Sequence, residues 1–159
     1  MKNYTYTSYS ENDTINFAKK LASQLHKKDI IVLSGELGSG KTKFTQGILA
    51  YFGLDDEISS PTFTIVNEYI KDDINIYHFD VYRLSDSSEF YEIGGEEYFE
   101  NGICIIEWGE IIEDILPDDY IQIYLTRDFN NENTRIFNIT TFGKKYDNIF
   151  SNFNEIVKK

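Results

Sequence analysis

Residues 35–42 read GELGSGKT, which sets Gly35, Gly40, Lys41 and Thr42 at the spacing G-x-x-x-x-G-K-[ST]. This composition suits the grip of a nucleotide's phosphates. The glycines let the backbone of Glu36, Leu37, Gly38, Ser39 and Gly40 turn its N–H groups inward. Lys41 can reach the terminal phosphates, and the Thr42 hydroxyl can face Mg²⁺. Such a loop works only between a buried strand and a helix N-terminus, whose positive potential adds to the grip. The flanks supply both: DIIVLS at 29–34 reads as a buried strand, and 41–52 reads as a helix closed by Gly53.

Glu36 carries the same sign of charge as a phosphate. Two unit charges about 6 Å apart repel by roughly 3 kcal/mol at an effective dielectric near 20. A divalent metal, Lys41 and several amides together exceed that. Glu36 is therefore expected to point away from the phosphates or to touch metal-bound water, with a merely solvated carboxylate as the alternative.

Nucleotide hydrolysis also requires a carboxylate at the end of a neighbouring apolar strand, to organise Mg²⁺ and the attacking water. Two residues qualify, Asp80 in IYHFDVYRL and Glu107 in ICIIEW. Strand alternation puts His78, Asp80 and Tyr82 on one face and Tyr77, Phe79 and Val81 on the other. Glu107 ends the more hydrophobic run; which of the two touches metal stays open. No N-K-x-D guanine-reading motif occurs, so ATP is favoured over GTP. The only arginines are Arg83, Arg127 and Arg135, few for a small-molecule kinase that clamps phosphates on two substrates. His26, beside a lysine pair, reads as solvated.

These groups need a scaffold. A short strand over 3–9 leads to a helix capped by Ser10, with Ile15, Ala18, Leu21, Ala22 and Leu25 at helical spacing and an end near Lys27–Lys28. Residues 63–70 and 74–82 read as a hairpin through Lys71, Asp72 and Asp73. Segment 85–101 reads as one or two short helices, and 103–107 as a buried strand. Strands at 120–126 and 135–141 flank the polar turn DFNNENT. The tail from Lys144 reads as a helix with Tyr146, Ile149, Phe150, Phe153 and Ile156 on one face. The expected fold is a three-layer α/β phosphate-loop nucleoside triphosphatase, with parallel core strands and antiparallel flanking strands in one mixed sheet.

At 159 residues a single domain, 1–159, is expected. With 27 Asp and Glu against 15 Lys and Arg, the formal charge of −12 argues against a protein that wraps nucleic acid by itself. The single cysteine, Cys104, excludes an internal disulfide and suits a reducing cytoplasm. MKNYTYTSYS lacks the apolar core of a signal peptide, and no run approaches a membrane span. A cytoplasmic protein with no membrane attachment is expected.

GELGSGKT, SPTF at 60–63, YHFDVYRL at 77–84 and EW at 107–108, in that order and spacing, resemble the bacterial TsaE family, formerly called YjeE. The resemblance covers nearly the whole chain and implies a small ATPase required for threonylcarbamoyladenosine formation in tRNA. It implies ATP and Mg²⁺ as cofactors, weak hydrolysis alone, and the TsaD–TsaB heterodimer as partner, with tRNA reached mainly through those partners. The ATPase cycle would reset the transferase between turnovers. Residue by residue, Lys41 and Thr42 would hold phosphate and metal, Glu107 would be the metal-side carboxylate, and Asp80 would position metal or water. Thr62 would lie in a segment sensing the γ-phosphate, Glu11 and Ser10 would approach the adenine edge, and Trp108 would sit beside the site or at a partner surface. One departure stands out: the second glycine of GGEEYF, Gly95, replaces the larger apolar residue usual in relatives. A small-molecule kinase and a non-catalytic nucleotide sensor are the alternatives.

Overall fold

Alternation along two apolar strands decides the layering. In β2 (Ile30–Gly35) and β5 (Ile103–Glu107), Ile31, Leu33, Ile103 and Ile105 enter one hydrophobic cluster, while Ile30, Val32, Cys104 and Ile106 enter another on the opposite face. Strands buried on both faces are what a parallel core requires. The computed structural model describes residues 1–36, 38–54 and 65–158. Leu37, Thr62 with the rest of SPTF, and the first residues of the strand expected from 63 lie outside the described residues.

Among the described residues the sheet has eight strands, in the order β3-β4-β5-β2-β6-β7-β1-β8. The remaining strands are β1 (Lys2–Ser8), β3 (Val66–Lys71), β4 (Ile74–Asp80), β6 (Tyr120–Asp128), β7 (Asn131–Phe142) and β8 (Val157–Lys158). Strands β4, β5, β2 and β6 pair in parallel, and the outer pairings are antiparallel. Helices α1 (Glu11–Ala22) and α2 (Lys41–Tyr51) bury their apolar sides in the first cluster. The second is covered by α3 (Ser87–Glu92), α4 (Gly95–Asn101) and a 3-10 helix, Gly109–Ile115. This is the three-layer mixed α/β architecture. No helix among the described residues is long and apolar enough to cross a membrane.

Helix α1 starts as its sequence dictates: the Ser10 side chain accepts from Asp13 N at 3.0 Å. It ends earlier than its apolar spacing predicts, at Ala22 rather than near Lys27–Lys28. From Gln24 the backbone tightens to i→i−3 bonds, Gln24 N to Leu21 O and Leu25 N to Ala22 O, and the Asp29 carboxylate then accepts from His26 N at 2.6 Å. Leu25 is buried all the same. Phe17, absent from the expected apolar face, is its largest buried residue, stacked on Tyr6 at 4.2 Å.

The tail corrects a second expectation. Tyr146, Phe150 and Phe153 are buried and Ile149 and Ile156 pack beside them, as the spacing predicts, but the segment is not an α-helix. It is a run of turns closed by i→i−3 bonds, such as Ile149 N to Tyr146 O and Phe153 N to Phe150 O, ending in β8. The Tyr146 hydroxyl and the Lys145 ammonium both reach buried Asp29, which ties the tail to the start of β2. The turn expected over 128–134 is also shorter, because β7 begins at Asn131.

Gly95 is explained by its neighbour. A Cβ at that position would run into the ring of Phe90, which is fully buried and packs on Phe79 and Phe99. The Phe90 ring takes up the space that a larger residue at 95 would need.

Candidate functional site

Three chain segments converge at the C-terminal ends of the parallel strands. Gly38 and Gly40 hold φ of 81° and 106°, a left-handed backbone that a β-carbon disfavours. They carry the chain from β2 into α2. Gly40 is the N-cap of α2 and provides no side-chain cap. The first N–H groups of that helix, from Lys41 onward, therefore lack the usual side-chain partner, the arrangement that accepts an anion.

The neighbouring strands bring the carboxylates. In the parallel β4–β5 pairing Asp80 stands opposite Glu107, and in the β2–β5 pairing Leu33 stands opposite Glu107. Glu107 follows Ile103 and Ile105 on the face that carries α2, so its side chain turns toward the glycine loop. Its Oε1 lies 3.6 Å from Lys41 Nζ, and its Oε2 lies 2.6 Å from His78 Nε2. Burial pushes the Glu107 carboxyl up, but the hydrogen bond and charge of His78, with the charge of Lys41, outweigh it and hold it below its ordinary value. Lys41 also lies over the Trp108 ring, 4.5 Å from its centroid. Trp108 adopts a left-handed backbone at φ 64°, rare for a bulky residue, and stands against Tyr82 with ring centroids 5.4 Å apart.

A cavity of about 830 Å³ opens between these groups. Of the candidate residues, Glu11, Glu36, Gly38, Gly40, Lys41 and Thr42 line it, and so do Asp80 and Glu107. Ser39 is buried beneath the loop, where its Oγ has no hydrogen-bond partner among the described residues. Glu36 faces the cavity with an exposed side chain. Ser10 lines it as well, and Glu11 is tied to the first turn of α2 by Lys43, at 3.6 Å. Asp80 Oδ1 accepts from Tyr82 N at 3.0 Å, so of the two carboxylates only Glu107 meets Lys41. His26 is exposed and away from the cavity.

Sequence reading missed the wall opposite Glu107. Asn133 and Arg135, from the β6–β7 hairpin, line the cavity. A Cβ on Gly40 would lie 3.7 Å from Arg135 Cγ, and one on Gly38 would lie 3.6 Å from Arg127 Nη1. Two of the three arginines thus flank the loop. Their scarcity in the sequence was the only available signal.

The family model described as "Threonylcarbamoyl adenosine biosynthesis protein TsaE" matches residues 8–136. A Bacillus subtilis protein named tRNA threonylcarbamoyladenosine biosynthesis protein TsaE is 37% identical over 148 residues, covering 92% of this chain and 91% of the relative. Proteins of the same name are 42% identical in Rickettsia bellii, covering 82% of this chain and 90% of the relative, and 37% identical in Haemophilus influenzae, covering 96% and 100%. The crystal structure of Bacillus subtilis YdiB superposes with a TM-score of 0.74 at 30% identity, covering 95% of this chain and 94% of that one. With its glycine loop, paired strand-end carboxylates and match over most of its length, the chain belongs to the TsaE family.

Proposed function

We propose that this chain is an ATP-binding and weakly ATP-hydrolysing subunit in the formation of threonylcarbamoyladenosine in tRNA. The observation that carries the proposal is the convergence of Lys41, Thr42 and the uncapped start of α2 with Glu107 in one cavity. The cavity suits a nucleoside triphosphate: the first α2 amides, which have no side-chain cap, and Lys41 would take its phosphates, and Ser10 and Glu11 would meet the base edge. Ser39 Oγ and Thr45 Oγ1, both buried without hydrogen-bond partners among the described residues, leave polar capacity beneath the loop.

Among the described residues no group of three His, Cys, Asp or Glu could hold a metal by itself. That fits magnesium, which is commonly held by one or two protein groups together with phosphate oxygens and water. Thr42 and Glu107 would be those groups, with Asp80 orienting metal-bound or attacking water. The bound ion would neutralise charge developing on the phosphates. Lys41 would anchor the terminal phosphates, and Trp108 with Tyr82 would shield that side of the site from solvent.

The partner would be the TsaD–TsaB transferase, reset between turnovers by the ATPase cycle. A net charge of −12 leaves tRNA contact mainly to those proteins. The test is reconstitution of tRNA modification over many cycles with TsaD and TsaB, with and without this chain. Product should stop near one turnover when the chain is omitted or replaced by Lys41→Ala. Sustained turnover without it would reject the proposal.

A further inference from the structure

We propose that His78 is a positioning residue for Glu107: its Nε2 keeps the carboxylate turned into the cavity when Lys41 leaves it for a phosphate. This rests on the nucleotide reading above.

Glu107 divides its oxygens between two partners, Lys41 on Oε1 at 3.6 Å and His78 on Oε2 at 2.6 Å. The first distance is long for a charge-assisted hydrogen bond, which runs at about 2.7–2.9 Å, whereas the second is fully formed. Lys41 is the cation of the glycine loop, so a bound triphosphate would compete with the carboxylate for its ammonium. Among the described residues the His78 side chain bonds Glu107 alone. It is 6% exposed, and its strand is held in register beside β5, with His78 opposite Ile105 and Asp80 opposite Glu107. The imidazole therefore approaches Glu107 from a rigid ladder rather than from a loop.

The second ring nitrogen supports the assignment. His78 Nδ1 is buried and has no hydrogen-bond partner among the described residues. A histidine kept for structure satisfies both nitrogens, and one kept for packing alone is better replaced by an apolar side chain. Here only the nitrogen facing Glu107 is used. Its partner matters because an imidazole or carboxylate contact behind a metal-side ligand fixes that ligand's orientation, and loss of such a contact typically weakens metal affinity about 10- to 100-fold.

The test follows nucleotide binding through Trp108, the single tryptophan, which lies under Lys41. Wild type, His78→Ala, His78→Leu, His78→Gln and Glu107→Gln are titrated with ATP, with and without magnesium. His78→Ala should leave metal-free affinity within about twofold, while the gain in affinity from magnesium falls by about tenfold or more. His78→Gln, which returns an N–H donor, should recover most of that gain. His78→Ala added to Glu107→Gln should cost little more. Equal losses with and without magnesium, an undiminished magnesium gain, or equal behaviour of the Gln and Ala variants would overturn the proposal. His78→Leu keeps the volume if the Ala variant does not fold.

A ligand-free measurement separates this proposal from the nucleotide reading. In imidazole ¹⁵N–¹H spectra of the free protein, His78 should show a protected Nε2–H that is lost in Glu107→Ala; an unprotected signal in wild type overturns it. Absence of nucleotide binding by wild type with a protected Nε2–H would instead count against the nucleotide reading and against the positioning role that rests on it, leaving only the bond.

Discussion

Lys41 and Glu107 are joined across the site, Nζ to Oε1 at 3.6 Å, with the Trp108 ring beneath the ammonium. The group suited to phosphate is held by the group suited to metal. Phosphate and carboxylate would therefore compete for one ammonium when nucleotide binds. Lys41→Ala should weaken ATP binding by roughly 3 kcal/mol, on the order of a hundredfold, since a charged hydrogen-bond donor is lost from a partly buried site. Lys41→Arg should not restore it, because a planar fork does not replace a compact ammonium in a narrow loop. Equilibrium titration decides, and affinity within about threefold of wild type for Lys41→Ala would remove Lys41 from the site.

Glu107 gives a pH dependence. Its folded-state value lies below the ordinary 4.5, because His78 and Lys41 outweigh the effect of burial. A depressed carboxyl contributes stability that is present above its unfolded-state value and lost as pH falls through the folded-state value. Glu107→Gln should therefore melt below wild type at neutral pH, and the gap should close as pH falls below 4.5. Melting curves across acid pH check this. A gap that persists unchanged to about pH 3 would contradict it.

Much of this site could be read in the chain because its parts lie within short motifs. GELGSGKT fixes loop and helix start together, and ICIIE ends on Glu107 because the strand is apolar on both faces until it leaves the core. The pairing of His78 with Glu107 was not legible, since it depends on which strands are neighbours, and 28 residues intervene. Arg135 was hidden for the same reason: it reaches the loop through the β6–β7 hairpin. The tail misled because its apolar spacing is satisfied equally by successive turns, and the Asp29 contacts that select them lie over a hundred residues away.

Those contacts make a separate prediction. The Tyr146 hydroxyl donates to Asp29 Oδ1 at 2.9 Å, and burial, then the charge of Asp29, push its ionisation above the ordinary 10.0. A raised value contributes stability that is complete below the unfolded-state value and lost as pH rises toward the folded-state one. Tyr146→Phe should cost about 1 kcal/mol at neutral pH and flatten part of the alkaline loss. Only part is expected, since Tyr4, Tyr6 and Tyr77 are raised as well. Chemical denaturation at neutral and alkaline pH measures both effects, and identical alkaline slopes would refute the second.

Cys104 lies in the middle of β5, fully buried, and burial pushes its thiol up to about 12. The thiolate is the reactive form, so the native protein should resist alkylation near neutral pH. Labelling should proceed only through opening of the central strand and should track global stability across denaturant. Rapid stoichiometric labelling of the native protein would show that β5 opens independently of the rest of the sheet.

Arg127 and Arg135 are register partners across β6 and β7. Like charges directly opposite in an antiparallel pair are destabilising. Each also borders the glycine loop, near Gly38 and Gly40, and Arg135 Nη1 is held by the carbonyls of Glu132 at 2.7 Å and Thr134 at 3.1 Å. An anion seated in the loop would relieve their repulsion, so the cost of the pair in the free protein becomes a gain on binding. Arg127→Gln should leave the free protein as stable as wild type or up to about 0.5 kcal/mol more stable. The same variant should show a smaller rise in Tm with tripolyphosphate or ATP, because ligand stabilisation follows affinity for the folded state. The difference should shrink as salt increases, since Arg127 is exposed and its field is screened. Equal ligand-induced shifts in Arg127→Gln and wild type at low salt would show that Arg127 adds nothing to the anion's binding.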